Sequence, residues 1–259
     1  MNTLPKISIV TVTYNSAATL KDTIESVRNQ DYKNIEYIIV DGASKDNTVD
    51  IIKNYTEIYP IKWISEPDKG LYDAMNKGIK MATGDVVGII NSDDFYHNSD
   101  TLSKIADAFM QNDIDCVYSD VRFVNPENLE KTIRYYSSKN FKPSKFKWGF
   151  MPAHPSFFAR KPLFEKFGYY KTDYKIAADF ELLLRFLLKN NSRTKYIELD
   201  TMKMRTGGVS TKSFRNKIIL NKEILRACKE NNIKTNLFKI YLRYSVKIFQ
   251  FLNLKDKGG

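Results

Sequence analysis

The residues whose types and spacing first suggest chemistry are Asn91-Ser92-Asp93-Asp94, which follow an apolar run ending at residue 90. Adjacent carboxylates on a short turn are the hard oxygen ligands that Mg²⁺ or Mn²⁺ prefers, particularly when substrate phosphates complete the coordination. A pair of aspartates can equally be an ordinary turn with a helix cap. Whether 91–94 is a metal site or only a turn therefore depends on which other residues lie close to it in the fold.

Polar residues also follow three other segments that have the pattern of β-strands. The strand-like runs lie at 7–14, 35–41, 62–66 and 85–91, and all but the short third one are rich in Ile and Val. The polar residues at the ends of the first three are Thr13, Tyr14 and Asn15, then Asp41, then 66–69. Ligands of parallel sheets bind beyond the carboxyl ends of the strands. We therefore expect these residues and the 91–94 cluster to line one crevice.

The segment between the first two runs has helical spacing, at Leu20, Ile24 and Val27. Helices are also predicted at 71–82, 99–112 and 177–190, and further strands at 115–124, 156–160 and 195–205. The region 126–150 reads as a hairpin followed by a long loop. Strands that alternate with helices predict an α/β fold with a mostly parallel sheet flanked by helices.

The order and spacing of four motifs resemble the family 2 glycosyltransferases with the GT-A fold, and most closely the bacterial branch that builds O-antigen, capsule and exopolysaccharide. The motifs are TVTYN, VDGASKDNT, SEPDKGLYDAMNKGI and NSDD. The resemblance covers most of residues 5–210. It implies a nucleotide-sugar donor, with a UDP-sugar expected, and a divalent cation, Mn²⁺ or Mg²⁺.

The resemblance also implies roles for individual residues. Thr13, Tyr14 and Asn15 would cradle the base and ribose, and Asp41 would accept a hydrogen bond from the base. Asp93 would be the principal metal ligand, with Asp94 beside it. Charge develops on the leaving diphosphate during sugar transfer, and a metal ion neutralises that charge.

Two positions depart from the family pattern. Asn91 stands where the usual acidic motif begins with an aspartate, and we expect it, with Ser92, to hydrogen-bond the donor. Met75 stands where many members have an arginine facing the diphosphate. Lys69 is our candidate for the missing positive charge, although it could equally be a solvated turn residue.

The catalytic base is expected in the second half of the chain. Inverting transfer needs one carboxylate that removes the proton of the acceptor hydroxyl. In the family this is an aspartate that opens a helix, and the matching stretch AADFELLLRF makes Asp179 the candidate. Glu181 is the rival, because it lies two residues further along. An acidic residue at this place can also simply interact with the helix dipole.

Two further features resemble parts of the same branch. His154, in MPAHPSFF, matches a histidine that many relatives place near the acceptor or diphosphate, but a lone histidine is more often structural. The GGVS loop at 207–210, flanked by Arg205 and Lys212, could close on phosphates through its backbone amides. It could equally be a plain connector.

The excess positive charge lies at one end of the chain. The whole sequence carries +11, yet twelve of its Lys and Arg and only three of its acids lie after residue 211. The tail therefore carries +9 and the rest only +2. A nucleic-acid groove would spread its charge through the fold, so we expect no nucleic-acid partner.

Two helices are predicted in this tail, at 214–230 and 236–254. In the second, Lys239, Arg243, Lys247 and Gln250 form one stripe against a wide apolar face. This pattern favours a helix lying on an anionic membrane, and packing on the domain or a second subunit is the alternative. Because we find no signal peptide and no spanning segment, we expect a cytoplasmic enzyme at the inner face of the plasma membrane.

These observations predict an inverting, metal-dependent glycosyltransferase that acts on a lipid-linked saccharide acceptor. We expect a domain at 1–211, with a nucleotide-binding half (1–98) and an acceptor-binding half (99–211), followed by basic amphipathic helices at 212–259. One alternative is a sugar-1-phosphate nucleotidyltransferase, although TVTYNSAAT lacks the glycine and basic residue that a triphosphate loop needs. The other is a non-catalytic membrane- or nucleic-acid-binding module.

Overall fold

A computed structural model describes residues 4–111, 113–207 and 214–252 of the chain. The strands in these ranges are β1 (Ile7–Thr13), β2 (Ile35–Asp41), β3 (Ile61–Ser65), β4 (Val86–Asn91), β5 (Asp94–Tyr96), β6 (Cys116–Asn125), β7 (Asn128–Tyr136), β8 (Phe158–Arg160) and β9 (Thr194–Arg205). The helices are α1 (Leu20–Arg28), α2 (Thr48–Thr56), α3 (Leu71–Met81), α4 (Thr101–Phe109), α5 (Pro162–Phe167), α6 (Ala178–Leu184), α7 (Phe214–Glu230) and α8 (Leu237–Leu252). A π-helical turn, Arg185–Lys189, continues α6, and 3₁₀ turns occupy Pro143–Trp148 and His154–Ser156.

The strands form one sheet in the order β3-β2-β1-β4-β8-β6-β9-β5, with β7 paired to β6. The first four are parallel to one another, whereas β8 runs antiparallel to both of its neighbours and β5 antiparallel to β9. The predicted α/β fold with a sheet flanked by helices is confirmed, but the sheet is mixed rather than mostly parallel, because β6 is parallel to β9 and antiparallel to β7 and β8. The predicted nucleotide motifs follow β1, β2, β3 and β4, which are parallel to one another.

β1 is central because its side chains feed two apolar cores. Successive side chains of a strand point to opposite faces of the sheet. Val10 and Val12 belong to the core that contains α3 and α6, and Ile7 and Ile9 belong to the core under α1 and α4. Both faces of the strand are therefore buried, which explains why Ile and Val stand at adjacent as well as at alternate positions of its sequence.

Most predicted elements are present within a few residues of their expected ends, and α7 spans the expected residues. Helices α2 and α5 and strand β5 were not predicted. α2 has only two large buried side chains, Ile52 and Tyr55, so its apolar period is faint. β5 is three residues long and exists only because it pairs with β9.

The two C-terminal helices pack against the same core as the sheet. Ile224, Ala227 and Cys228 of α7 and Ile240 of α8 are buried in the cluster that contains β1 and α6. The division of the chain at residue 211 stays a prediction. Among the described residues, no helix is long and apolar enough to cross a membrane.

The predicted basic stripe of α8 is wrong at Arg243. This side chain is buried, and its guanidinium donates to the carbonyl of Gly149 at 2.8 Å and to Asn221 Oδ1 at 2.7 Å. Arg243 faces the interior because its guanidinium finds buried acceptors at Gly149 and Asn221. Lys239 is partly buried over the ring of Trp148.

The outward face of α8 is apolar over the residues whose side chains are described. Leu237, Phe238, Tyr241 and Leu242 are all exposed, and Phe238 is 72% exposed. We call these four residues the α8 outer face. Contiguous exposed apolar residues of this kind mark interaction surfaces more often than scattered ones do.

We expect Arg243→Met to destabilise the protein, because methionine removes the donor that binds the buried Gly149 carbonyl. It also removes a donor to Asn221 Oδ1, which then keeps the hydrogen bond from the Tyr244 hydroxyl. An unsatisfied buried group costs about 1–3 kcal/mol, which in a chain of this size corresponds to a melting temperature lower by roughly 2–12 °C. Thermal melting followed by circular dichroism measures the effect. Lys229→Met, at an exposed lysine of α7, is the matched control and should stay close to wild type. Equal melting temperatures for Arg243→Met and wild type would contradict the role given to Arg243.

Candidate active site

The register of the parallel strands brings the predicted nucleotide residues to one edge of the sheet. Thr13 pairs with Asp41, Val12 pairs with Asn91, and Asp41 pairs with Ser65. The strand ends are thus level. The loops after β1, β2, β3 and β4 consequently leave the sheet side by side.

Asp41 is fully buried and lies beneath two serines. One carboxylate oxygen accepts the hydroxyl of Ser44, and the other accepts the Ser44 amide at 3.0 Å and the Ser65 hydroxyl at 2.6 Å. A carboxylate has about four acceptor sites, so this geometry leaves room for a further donor. Recognition of the base by Asp41 stays a prediction.

The loop after β1 is tied to its neighbours through hydrogen bonds. Asn15 has a positive φ of 50°, and its amide donates to Ser44 while its side-chain oxygen accepts from the Lys45 amide. The hydroxyl of Ser16 lies 2.8 Å from that of Ser92. This last contact joins the first nucleotide loop to the acidic loop.

Thr13 and Tyr14 lie at the mouth of the same edge. The hydroxyl of Thr13 is buried and has no hydrogen-bond partner among the described residues. The ring of Tyr14 is 58% exposed and lies near Gly42. A Cβ on Gly42 would lie 2.5 Å from the Asp68 carboxylate, so a larger residue at this position would displace the Asp68 side chain.

The acidic cluster spans the turn between β4 and β5. Asp93 is partly buried in that turn, whereas Asp94 begins β5 and is buried, with Asn91 donating to its carboxylate at 3.2 Å. Burial, together with the neighbouring charge of Asp93, raises the pKa of Asp94 well above its usual range. Arg205 donates to the Asp93 carbonyl at 2.5 Å and also binds Asp22. Arg205 therefore holds the turn in place from β9.

The donor set of this cluster fits a divalent cation whose coordination is completed by substrate. Asp93 and Asp94 supply hard carboxylate oxygens, and Mg²⁺ commonly uses only one or two of these beside substrate phosphates. The side-chain oxygen of Asn91 is buried and lacks a hydrogen-bond partner among the described residues. It is therefore free to bind a hydroxyl, a water molecule or the ion.

The position that carries an arginine in many relatives holds Met75 here, an uncharged residue that is buried in the core. Lys69 lies on the exposed loop before α3, where Gly70 has a φ of 109° that favours glycine. Lys69 and Tyr72 line one side of a cavity of about 230 Å³, and Tyr174 and Lys175 line the other. This cavity therefore lies between the start of α3, with the loop before it, and the segment that leads into α6.

Asp179 lies in the first turn of α6 and is partly buried. Burial, with a smaller contribution from the charge of Glu223, raises the pKa of Asp179 to about 6, although the hydrogen bond from the Phe180 amide acts in the opposite direction. The Tyr72 hydroxyl donates to the carbonyl of Ile176 at 2.6 Å and so links α3 to this segment. A carboxylate that titrates near neutral pH is suited to accept a proton.

The rival residue, Glu181, is occupied elsewhere. Its side chain is fully buried and pairs with Arg185 at 2.9 Å and with Lys171 at 3.3 Å, and it accepts from Asn231 at 3.1 Å. These contacts give Glu181 a structural role within the core. They favour Asp179 of the two acidic residues as the base.

His154 bonds within the protein through one ring nitrogen. Its Nε2 lies 2.6 Å from the hydroxyl of Tyr170, and burial lowers the pKa of His154 to about 4. The imidazole is therefore neutral at pH 7. Asn76 pairs with both the amide and the carbonyl of Tyr170, at 2.9 and 2.8 Å. A direct role of His154 in substrate binding stays a prediction.

The predicted residues thus fall into two linked groups. Residues at the ends of β1, β2 and β4 surround the acidic turn, and α3 links that region to a second group around Asp179 and Tyr170. Residues 208–210 of the GGVS loop, and Lys212, lie outside the described residues. Sequence reasoning missed Ser44 and Ser65, although Ser44 lies inside a quoted motif. It also missed Tyr170, because its contacts come from residues far away in the chain.

A sequence model described as "Glycosyl transferase family 2" matches residues 8–168. The chain belongs to this family. The glycosyltransferase is 34% identical over 191 residues to an uncharacterized glycosyltransferase of Mycobacterium tuberculosis, which covers 73% of this chain and 71% of the relative. It is 28% identical over 198 residues to a PGL/p-HBAD biosynthesis glycosyltransferase of Mycobacterium bovis, over 75% of each chain.

Solved structures share the fold of the glycosyltransferase. TarS of S. aureus, residues 1–349 in complex with UDP-GlcNAc, has a TM-score of 0.66 at 21% identity, over 86% of this chain and 66% of that chain. The mannosyltransferase PcManGT of Pyrobaculum calidifontis, in complex with GDP-Man and Mn²⁺, has a TM-score of 0.65 at 18% identity, over 92% and 70%. A longer TarS chain is spanned over only 40% of its length. These likenesses establish the GT-A fold.

If Asp179 is the base, the rate of sugar transfer should depend on its ionisation. Because Asp179 must be deprotonated to act and its pKa is about 6, kcat/KM should fall as the pH is lowered through that value, about tenfold per pH unit below it. The pH profile of UDP release measures this. The acid limb should be absent from the residual activity of Asp179→Asn. An acid limb centred at about 4, the ordinary aspartate value, would contradict the environment described for Asp179.

Proposed function

We propose that this glycosyltransferase moves a sugar, with inversion, from a UDP-sugar to a lipid-linked saccharide acceptor in the synthesis of a cell-surface polysaccharide. The observation that carries the proposal is Asp179. It is a partly buried carboxylate with a pKa of about 6, on a segment joined by Tyr72 to the helix that follows the nucleotide loops. Family membership favours sugar transfer over nucleotidyl transfer or a non-catalytic binding module.

The donor would lie across the carboxyl ends of β1, β2 and β4. Tyr14 offers an exposed ring for the base, and Asp41 offers its remaining acceptor site. The unpartnered hydroxyl of Thr13 and amide oxygen of Asn91 are acceptors for donor hydroxyls or water. The amide of Asn15 connects the loop after β1 to Ser44, and Ser92 of the acidic turn contacts Ser16 of the same loop. Lys69 lines the cavity at the start of α3.

Asp93 and Asp94 would hold Mn²⁺ or Mg²⁺, which, when bound, neutralises charge on the diphosphate of the donor. The chain's own chemical step belongs to Asp179. Its carboxylate accepts the proton of the acceptor hydroxyl while the acceptor oxygen forms a bond to the anomeric carbon. The bond from that carbon to the diphosphate oxygen breaks on the opposite face, so that UDP leaves and the configuration inverts.

The acceptor is proposed to be lipid-linked because of the α8 outer face. Its exposed aromatic and aliphatic side chains, next to Lys239 and the exposed Trp148, combine apolar and positively charged groups. This combination suits the interface of an anionic membrane. The enzyme would then work in the cytoplasm, at the inner face of the plasma membrane.

Substitutions at the two acidic positions should have different effects. Asp93→Asn should weaken UDP binding in the presence of Mn²⁺ by about tenfold or more, because a charged metal ligand is lost. Asp179→Asn should leave that affinity unchanged and lower kcat by about 10²–10⁴-fold. Calorimetric titration with UDP and a coupled assay of UDP release, over a panel of UDP-sugars, provide the two measurements.

Asp107→Asn, at an exposed aspartate of α4, is the control for the loss of one negative charge. Chelation of divalent cations should bring wild-type UDP affinity down to that of Asp93→Asn. Full activity in Asp179→Asn would refute the base assignment, and metal-independent UDP binding would refute the metal site.

Membrane attachment is tested by flotation with vesicles that contain anionic phospholipid. Phe238→Ser combined with Tyr241→Ser should lower the bound fraction, with a partition coefficient smaller by about tenfold or more. The matched control is Ile58→Ser combined with Ile133→Ser, which removes two exposed hydrophobic residues from other elements. If both double variants float like wild type, the α8 outer face does not bind the membrane.

A further inference from the structure

A carboxylate from α7 holds the loop that leads into α6. Glu223 Oε1 accepts the amide of Lys175 at 2.7 Å, and Oε2 accepts the amides of Ile176 and Ala177, both at 2.9 Å. Hydrogen bonds from backbone amides to an ionised carboxylate are roughly twice as strong as neutral ones. Three successive amides, ending at the N-cap residue of α6, are therefore fixed by one side chain.

Other side chains of α7 bind the same loop, residues 171–177. Glu230 accepts from Lys171 at 2.7 Å and from the hydroxyl of Tyr174 at 2.9 Å, and Arg226 pairs with Asp173. The loop is thus attached to α7 near both of its ends. On the opposite side it is attached to α3, through the hydrogen bond from Tyr72 to the Ile176 carbonyl.

Asp179 lies two residues after the last amide that Glu223 binds. The orientation of its carboxylate is set by the first turn of α6, since its Oδ1 accepts from the Phe180 amide at 2.7 Å. A displacement of the 171–177 loop would move that turn. Misplacement of a reacting group by about 1 Å can cost about 10²-fold in rate, so the anchoring of this loop matters for the reaction.

We propose that Glu223 is a positioning residue for sugar transfer, which acts by fixing the 171–177 loop and, through it, Asp179. The proposal rests on the proposed function, in which Asp179 is the base. It gives α7 a part in the reaction. The positive charge of the residues after 211, taken by itself, would suggest only membrane attachment for this helix. Glu223 itself need not touch the substrate.

Glu223 has a second effect, through its charge. The ionisable groups that act on Asp179 come from three elements: Tyr72 of α3, Tyr170 before the loop, and Glu223 of α7. Of these, Glu223 is the one whose charge raises the pKa of Asp179. Its charge disfavours a second negative charge nearby, and its removal should therefore make Asp179 ionise at a lower pH.

The test is Glu223→Gln, which keeps the shape of the side chain but removes the charge and part of its capacity to accept hydrogen bonds. We expect kcat of UDP release with acceptor to fall about 10–100-fold, with the affinity for UDP unchanged. We also expect the acid limb of the pH profile to move to lower pH. Glu165→Gln, at an exposed glutamate of α5, is the control and should keep wild-type values.

Glu223→Asp separates position from charge, because it keeps the charge but is one methylene shorter. It should lower kcat and leave the acid limb in place. If Glu223→Gln does not fold, as judged by thermal melting, the kcat of Glu223→Asp decides the question alone. A kcat within twofold of wild type in the folded variant overturns the proposal, and so does a lower kcat in Glu223→Gln with an unmoved acid limb.

These results can be distinguished from a failure of the proposed function. If wild type releases no UDP with any donor and acceptor, the proposed function fails before Glu223 is tested. If Asp179→Asn remains fully active, the base assignment fails. If wild type is active, Asp179→Asn is inactive and Glu223→Gln behaves as wild type, the proposed function stands and the role of Glu223 is refuted.

Discussion

The parallel pairing of β1 with both β2 and β4 is the interaction on which the rest of the structure depends. It keeps Thr13, Asp41 and Asn91 at one level, so that three loops from different parts of the chain leave the sheet together. A slip of one residue would send every buried side chain of a strand to the opposite face. Such a slip would exchange the side chains of β1 between two cores in which they now pack, with Val10 and Val12 in one and Ile7 and Ile9 in the other. The packing of both cores therefore helps to fix the register of the site.

The second part of the site is assembled differently, through side chains that bind backbone groups of distant segments. Asn76 binds the backbone amide and carbonyl of Tyr170, and Tyr72 binds the carbonyl of Ile176. Glu223 binds the three successive amides of residues 175–177. Each contact satisfies a backbone group that would otherwise be costly to bury. The α6 segment is thereby held between α3 and the C-terminal helices. Loops that carry function are commonly positioned in this way by a rigid framework.

Helix α8 departs from the usual arrangement of polar and apolar residues, because it buries Arg243 together with Ile240. Its inner side buries Arg243, which is bound to Gly149 and Asn221, and its described outer side exposes aromatic and aliphatic residues. Burial of an arginine is tolerable only when its donors find acceptors, and a carbonyl and an amide oxygen supply them here. The helix is therefore part of the fold, although Leu237, Phe238 and Tyr241 on its described outer side stay exposed.

The sequence by itself determined the class of fold, the approximate ends of the first four strands, and the polar residues that follow each one. These features depend on local patterns, because a β-branched run and a terminal aspartate are visible within a few residues. The resemblance to the family extended this to the choice of Asp93 and Asp179, whose roles stay predictions.

The tertiary structure alone decided how Arg205, Tyr170, Glu223 and Arg243 are used. Each of these side chains binds a backbone or side-chain group that is far away along the chain, and such contacts leave no periodic signal in the sequence. It also decided that β5 exists, because a strand of three residues is stable only beside β9. Helical spacing showed that α8 has two different faces. The apolar core around Ile240 and the buried acceptors at Gly149 and Asn221 determined which face turns inward.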